Sequence, residues 1–228
     1  MNKNEKIKWA KEYEKIKHDI NISAHQDLKS TIIFSIMINR KYNKIHFDNE
    51  IRDKIVYIIG TGATLENDIK SLNKTDDIYI IAADGAIGAL LRENIIPNLC
   101  ISDLDSREND LLIANELGIP ILINSHGDNV DKIYRIFPKL TRITIATSQI
   151  EEIENVSLNF GFTDGDRAFY FAKAYKARNI KLLGMNFDNK ISKFSKPMFK
   201  ENKIASQRKM KKISIAKRLI KNHEFAKV

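Results

Sequence analysis

From Lys54 onward the chain alternates between short, uniformly apolar runs and stretches with helical spacing. The runs are KIVYIIG, IYIIAAD, NLCISD, IPILINSHG, RITIATS and NIKLLGMNF, beginning at Lys54, Ile78, Asn98, Ile119, Arg142 and Asn179. A strand with one wet face would alternate apolar and polar residues. These runs do not, so both of their faces are covered, as in parallel sheets. Between them lie TLENDIKSL, GAIGALLREN, RENDLLIANELG, NVDKIYRIF and DGDRAFYFAKAYKA, several of which open on an acidic or small residue as helix starts do. Parallel strands joined through helices need right-handed crossovers, which puts helices on both faces of an open sheet.

Residues 3–18 and about 24–42 read as two helices ahead of this region. Trp9, Tyr13 and Ile16 make a thin apolar stripe on the first. Leu28, Ile32, Ile36 and Met37 recur on the second as a core-facing stripe should. The expected fold is α/β: an open, mostly parallel, Rossmann-like sheet over residues 51–190, with an N-terminal helical segment (1–50) and a basic C-terminal helical segment (191–228). A chain of 228 residues, 43% hydrophobic, can bury one sizeable core, and 9 Gly with 4 Pro leave no low-complexity linker. The single cysteine, Cys100, excludes an internal disulfide framework. The charged start and the eight-residue limit of the early apolar run TIIFSIMI argue against a signal or membrane segment, and a cytoplasmic protein is the expectation.

The formal charge of +9 is local. Residues 1–195 are neutral in sum, whereas residues 196–228 hold 11 basic residues against Glu201 and Glu224. Such a tail suits nucleic acid, an anionic partner or the phosphates of a small substrate, and equally a solvated helix face. If it folds over the strand ends, Lys196, Lys200 or Lys203 would meet phosphates there.

In an open parallel sheet, ligands bind beyond the carboxyl ends of the strands. The successive ends here read GTGATL, ADGA, SDLDS and SHGDN, and they bring Asp84, then Asp103 and Asp105, then Asp128 to one edge. Carboxylates gathered so repel one another unless a cation neutralises them. Oxygen ligands with no Cys or His cluster select Mg²⁺, which keeps positions open for substrate phosphates. Each residue also has an ordinary use: Asp105 with Glu108 fits a capping box, Asp84-Gly85 a tight turn, Asp128 a helix cap.

GTGATL carries Gly60 and Gly62 between strand and helix, with Thr61 and Thr64 beside them, an arrangement that lets backbone N–H groups approach a phosphate. It lacks the third glycine of a dinucleotide fingerprint, where Leu65 stands, and no P-loop motif occurs. GFTDGDRAFYFA offers Thr163 or Asp164 as a cap, while Asp164, Asp166 and Arg167 within one turn exceed what capping needs; Arg167 suits a phosphate clamp. His126 is placed for a base or a phosphate hydrogen bond, or for no role in its turn.

In this order and spacing, GTGATL, AADGA, SDLDS, SHGDN and GFTDGDRA resemble the archaeal 6-hydroxymethyl-7,8-dihydropterin pyrophosphokinases, whose catalytic region is similar to thiamin pyrophosphokinases. The resemblance spans roughly residues 50–190. SHGDN has one aspartate where the thiamin enzymes have several. The resemblance implies transfer of diphosphate from ATP to a pterin hydroxymethyl group with release of AMP, within biosynthesis of a tetrahydromethanopterin- or folate-type cofactor. It also implies Mg²⁺ on Asp84, Asp103, Asp105 and Asp128, phosphate contacts from Gly60, Thr61, Gly62, Thr64, Gly85, Thr163 and Arg167, and pterin contacts from Phe162 with Asp164 or Asp166. Thiamin pyrophosphokinase and a motility-associated sugar-transfer protein of the same broad family are the enzyme alternatives; a nucleic-acid-binding module using the tail is the other. With ATP and a pterin as partners, neither nucleic acid nor membrane is expected, and a homo-oligomer stays open.

Overall fold

The computed structural model describes residues 3–38, 47–72 and 75–222. Its elements run α1 (Lys3–Ile20), α2 (Ala24–Ile38), α3 (Asp48–Ile51), β1 (Ile55–Ile59), α4 (Leu65–Lys70), β2 (Ile78–Ala83), α5 (Ala86–Arg92), β3 (Leu99–Ser102), α6 (Glu108–Glu116), β4 (Ile121–Ser125), α7 (Val130–Ile136), β5 (Thr144–Ser148), β6 (Val156–Leu158), α8 (Asp164–Ala174), β7 (Asn179–Leu183), β8 (Lys190–Ile191), β9 (Lys203–Ile204) and α9 (Gln207–Asn222). β1 to β7 form one parallel sheet in the order β6-β5-β4-β3-β2-β1-β7, and β8 pairs with β9 in a small antiparallel ribbon.

All six apolar runs become strands. β6 is an addition at the edge: its three residues, VSL, are too few to show a period, and pairing with β5 makes the strand. Helices cover both faces. Phe34 and Ile38 of α2, with α4, α5, α6 and α7, pack over Ile80, Cys100, Ile121 and Ile123. On the other face Trp9, Tyr13 and Ile16 of α1, with α8 and Ile215 and Leu219 of α9, pack over Ile58, Ile81, Ile101 and Leu122. Alternate residues of one strand thus feed opposite cores, which is why the runs are apolar throughout.

The stripe expected on α2 is turned. Ile32 and Ile36 are exposed, while Asp27, Ser30, Thr31, Phe34, Ser35 and Ile38 face inward. The cause is the surface beneath, where β4 and β5 end in hydroxyls: Thr31 Oγ1 donates to Ser148 Oγ at 3.0 Å and lies 3.2 Å from Ser125 Oγ. Burying polar strand ends demands polar partners, and this outweighs the gain of about 1.5–3 kcal/mol from burying one more isoleucine. The last part of the expected helix, residues 39–42, lies outside the described residues.

Candidate active site

β2 runs into Asp84, whose φ of 45° lies in the left-handed region, and β3 runs into Asp103. α8 opens on Asp164, opposite them. One carboxylate oxygen from each of the three lies within 4.8 Å of the others. Ser102 Oγ donates to Asp84 Oδ1 at 2.5 Å. Burial, and then the charge of Asp103, push the Asp84 carboxyl up to about 6. Asp164 is driven well above the usual carboxylate range by burial and by the charges of Asp103 and Asp84. Burial acts on Asp103 in the same direction, but a hydrogen bond from His126 and the charges of Lys196 and Lys212 hold it below that range. The negative charge therefore sits on Asp103, and its two neighbours are destabilised as anions.

Asp105 is not in this group. In a continuous strand, residues two apart point the same way, so Asp103 and Asp105 would share a face. Leu104 breaks the strand with φ 63°, a conformation costing a branched side chain about 1–3 kcal/mol. Burial of its side chain and a 2.8 Å bond from its N–H to Ser102 Oγ hold it there. The turn sends Asp103 to the carboxylates and Asp105 to two ammonium groups, Lys132 and Lys196. Nor does Asp105 pair with Glu108 in a capping box: the residue before α6 is Arg107, and Glu108 is bonded to Lys139 and Arg135. Asp128 is also apart, largely exposed and 3.4 Å from Arg208.

Gly60 and Gly62 let the ends of β1 and β7 approach. A Cβ on Gly62 would lie 2.6 Å from Gly184 O, and the N–H groups of Gly60 and Gly62 already donate to Leu183 O and Gly184 O at 2.8 and 2.6 Å. Thr64 is held by Asp68 and Asn186, whereas Thr61 faces the cavity. Gly85 admits the chain at Phe194, whose carbonyl oxygen would be 2.0 Å from any Cβ there.

At the start of α8, Thr163 and Asp166 form a capping box, and the Asp166 carboxylate also accepts the Phe162 N–H at 2.5 Å. Asp166 is fully occupied by the fold. Arg167 is buried; its guanidinium donates to Asn124 Oδ1 at 2.5 Å and to Gln149 Oε1. Gln149 donates in turn to Asp27 of α2, which also accepts the Tyr13 hydroxyl at 2.6 Å and the Gly127 N–H at 2.7 Å. The N-terminal helices thus brace the strand ends through one buried carboxylate. His126 Nδ1 accepts the Asp128 N–H at 3.2 Å, so the ring proton belongs on Nε2, 3.5 Å from Asp103 Oδ2.

These groups line a cavity of about 310 Å³. Gly60, Thr61, Asp84, Asp103, Asp105, His126, Asp128, Phe162, Thr163, Asp164 and Arg167 all border it. The C-terminal segment also borders it, through Ser195, Lys196, Arg208, Lys209 and Lys212. Lys196 reaches it; Lys200 lines a separate, smaller pocket and Lys203 lies over the Phe199 ring.

A family model described as 6-hydroxymethylpterin diphosphokinase MptE-like matches residues 30–192. The chain belongs to this family. Three curated relatives, each named 6-hydroxymethyl-7,8-dihydropterin pyrophosphokinase, resemble it over nearly their whole length. The Methanocaldococcus jannaschii protein is 36% identical, covering 93% of this chain and 92% of the relative. The Pyrococcus furiosus protein is 34% identical, covering 96% of each. The Methanothermobacter thermautotrophicus protein is 32% identical, covering 93% of this chain and 92% of the relative.

Asp27, Asn124, Lys132, Gln149, Lys209 and Lys212 were not singled out by sequence reading. A signal did exist for the two lysines: Lys209, Lys212, Ala216 and Leu219 follow one another at helical spacing, so a stripe that is core at one end turns cationic at the other.

Proposed function

We propose that the chain transfers diphosphate from ATP to the hydroxymethyl group of 6-hydroxymethyl-7,8-dihydropterin and releases AMP. The substrate oxygen attacks the β-phosphorus, the bond from that phosphorus to the α–β bridging oxygen breaks with its electron pair leaving on AMP, and the hydroxyl proton passes to solvent. The observation carrying this reading is the group of three carboxylates bordering a cavity that cationic side chains also line, in a chain of this family. Two of the three are poor anions as they stand, and a hard divalent cation would relieve them. Asp84, Asp103 and Asp164 are the proposed Mg²⁺ holders. Bound there, Mg²⁺ would neutralise charge developing on the phosphates.

The chain's own residues do the rest by placement. His126 donates from Nε2 toward Asp103 and so orients that carboxylate rather than serving as a base. Arg167 adds a buried positive charge beside Asp164. Asp166 and Asp105, both committed within the fold, are not offered to substrate. The half-buried Phe162 also borders the cavity, and its ring offers a face on which a flat pterin can lie.

The test is AMP release from ATP and Mg²⁺ with 6-hydroxymethyl-7,8-dihydropterin, and in parallel with thiamin. Release with the pterin alone is expected. No release with it, or equal release with thiamin, overturns the proposal.

A further inference from the structure

The C-terminal helix is fastened at one end and poised over the cavity at the other. Ile215, Ala216 and Leu219 are buried, and the Tyr170 hydroxyl donates to Leu219 O at 2.9 Å. Arg218 reaches Glu12 of α1 at 2.9 Å. So anchored, α9 holds Lys209 and Lys212 at the cavity wall. Among the described residues neither ammonium is in an ion pair; Lys212 stands 5.5 Å from the centroid of the Phe162 ring. Lys209 is half-buried, and burial together with repulsion from Lys196 and Lys212 pulls its pKa down. Three ammonium groups that repel one another border the cavity; the charge of Asp103 offsets this only in part, and an anion entering there would be attracted by all three. The nearby Ser195 hydroxyl is buried, borders the same cavity and has no hydrogen-bond partner among the described residues.

We infer that Lys209 and Lys212, with Lys196 and Ser195 beside them, form a polyphosphate cradle, so that α9 is a substrate-binding element rather than a solvated helix. The inference rests on the proposed reaction for the identity of the ligand but not for its charge. A single phosphate would leave this wall in excess; a tri- or diphosphate chain, spanning from the lysines to a cation on the carboxylates, satisfies both walls at once. Lys196 already shares Asp105 with Lys132, whereas Lys209 and Lys212, in no ion pair among the described residues, feel the charge of Asp103 only from beyond ion-pair distance.

The experiment is equilibrium binding of inorganic triphosphate, of ATP and of AMP to the full chain in the presence of Mg²⁺. Wild type is expected to bind triphosphate in competition with ATP. Lys209→Ala and Lys212→Ala should each weaken triphosphate and ATP binding by roughly tenfold, with AMP changed less. Lys209→Arg should stay within about threefold of wild type. Lys217→Ala, on the exposed face of the same helix, should change nothing. Should Lys209→Ala fold poorly, Lys212→Met gives the same reading from a position beside the Phe162 ring. Triphosphate binding that is absent in wild type, or unchanged in a folded Lys209→Ala and Lys212→Ala double variant, overturns the inference. If wild type binds triphosphate and the double variant does not, while no AMP is released with the pterin, the cradle stands and the proposed reaction falls.

Discussion

The two charged walls of the cavity are built in opposite ways. Asp84 and Asp103 follow β2 and β3, whose positions are set by backbone pairing in the middle of the sheet, and Asp164 opens α8, which packs on that sheet. Lys209 and Lys212 come from one helix held by buried side chains and by polar contacts that include the Tyr170 hydroxyl and the Glu12 carboxylate. A charge placed by the sheet cannot move without unfolding it; a charge placed by α9 depends on how that helix docks. The acidic wall should therefore respond to substitution through chemistry, and the basic wall through affinity.

The sharpest probe is Asp103 set against Asp105, two residues away. Asp103→Asn removes the charged member of the carboxylate group, so turnover should fall roughly 10³-fold, on the order of 4 kcal/mol. Asp105→Asn frees Lys132 and Lys196 but takes nothing from that group, and about a tenfold loss is expected. Steady-state AMP release measures both, and equal losses would erase the distinction drawn from the Leu104 turn.

The next effect lies behind the acidic wall. Asp27→Ala leaves the Gly127 N–H, the Gln149 amide and the Tyr13 hydroxyl without their shared acceptor. A loss of about 3 kcal/mol in denaturant unfolding is expected, and Tyr13→Phe should cost about 1 kcal/mol. A stable Asp27→Ala variant would mean that the N-terminal helices do not brace the strand ends. On the basic side, Leu219→Ala should cost about 2–4 kcal/mol and raise the KM for ATP more than it lowers kcat. Loss of kcat alone would show that α9 acts on chemistry, against the contrast between the walls.

The smallest effect is one of pH. Asp84 has a folded-state pKa near 6, above the ordinary 3.8. A raised carboxyl destabilises the fold where it is ionised in both states, and the penalty disappears as pH falls from 6 toward 3.8, because the folded form takes the proton first. Without metal, Asp84→Asn should therefore be about 1–2 kcal/mol more stable than wild type near about pH 8, and no more stable near about pH 4. Asp103 has the opposite sign: its depressed pKa adds stability that is lost only in stronger acid, so it does not mask the change. With Mg²⁺ added, the wild type should gain and the variant should not. A stabilising difference that persists at low pH would remove the electrostatic account of this wall.

Much of this was open to reading from the residues. Uniform apolar runs spaced by helical stretches require a covered parallel sheet, because no other arrangement hides both faces of so many short strands. A parallel sheet in turn sends every strand's carboxyl end to one edge, so Asp84 and Asp103 were bound to come near each other whatever the details. Three things were decided only by the tertiary structure. The left-handed turn at Leu104 separated Asp105 from Asp103, since a residue's backbone region depends on what surrounds its side chain. The first residue of α8, Asp164, completed the carboxylate group across a gap of 60 residues. The inward face of α2 and the docking of α9 were set by what lay beneath each helix, hydroxyl-bearing strand ends in one case and an apolar slot in the other. Local pattern reports how a segment hides its own surface; which charges then face one another depends on contacts between segments far apart in the chain, and no short stretch carries that information.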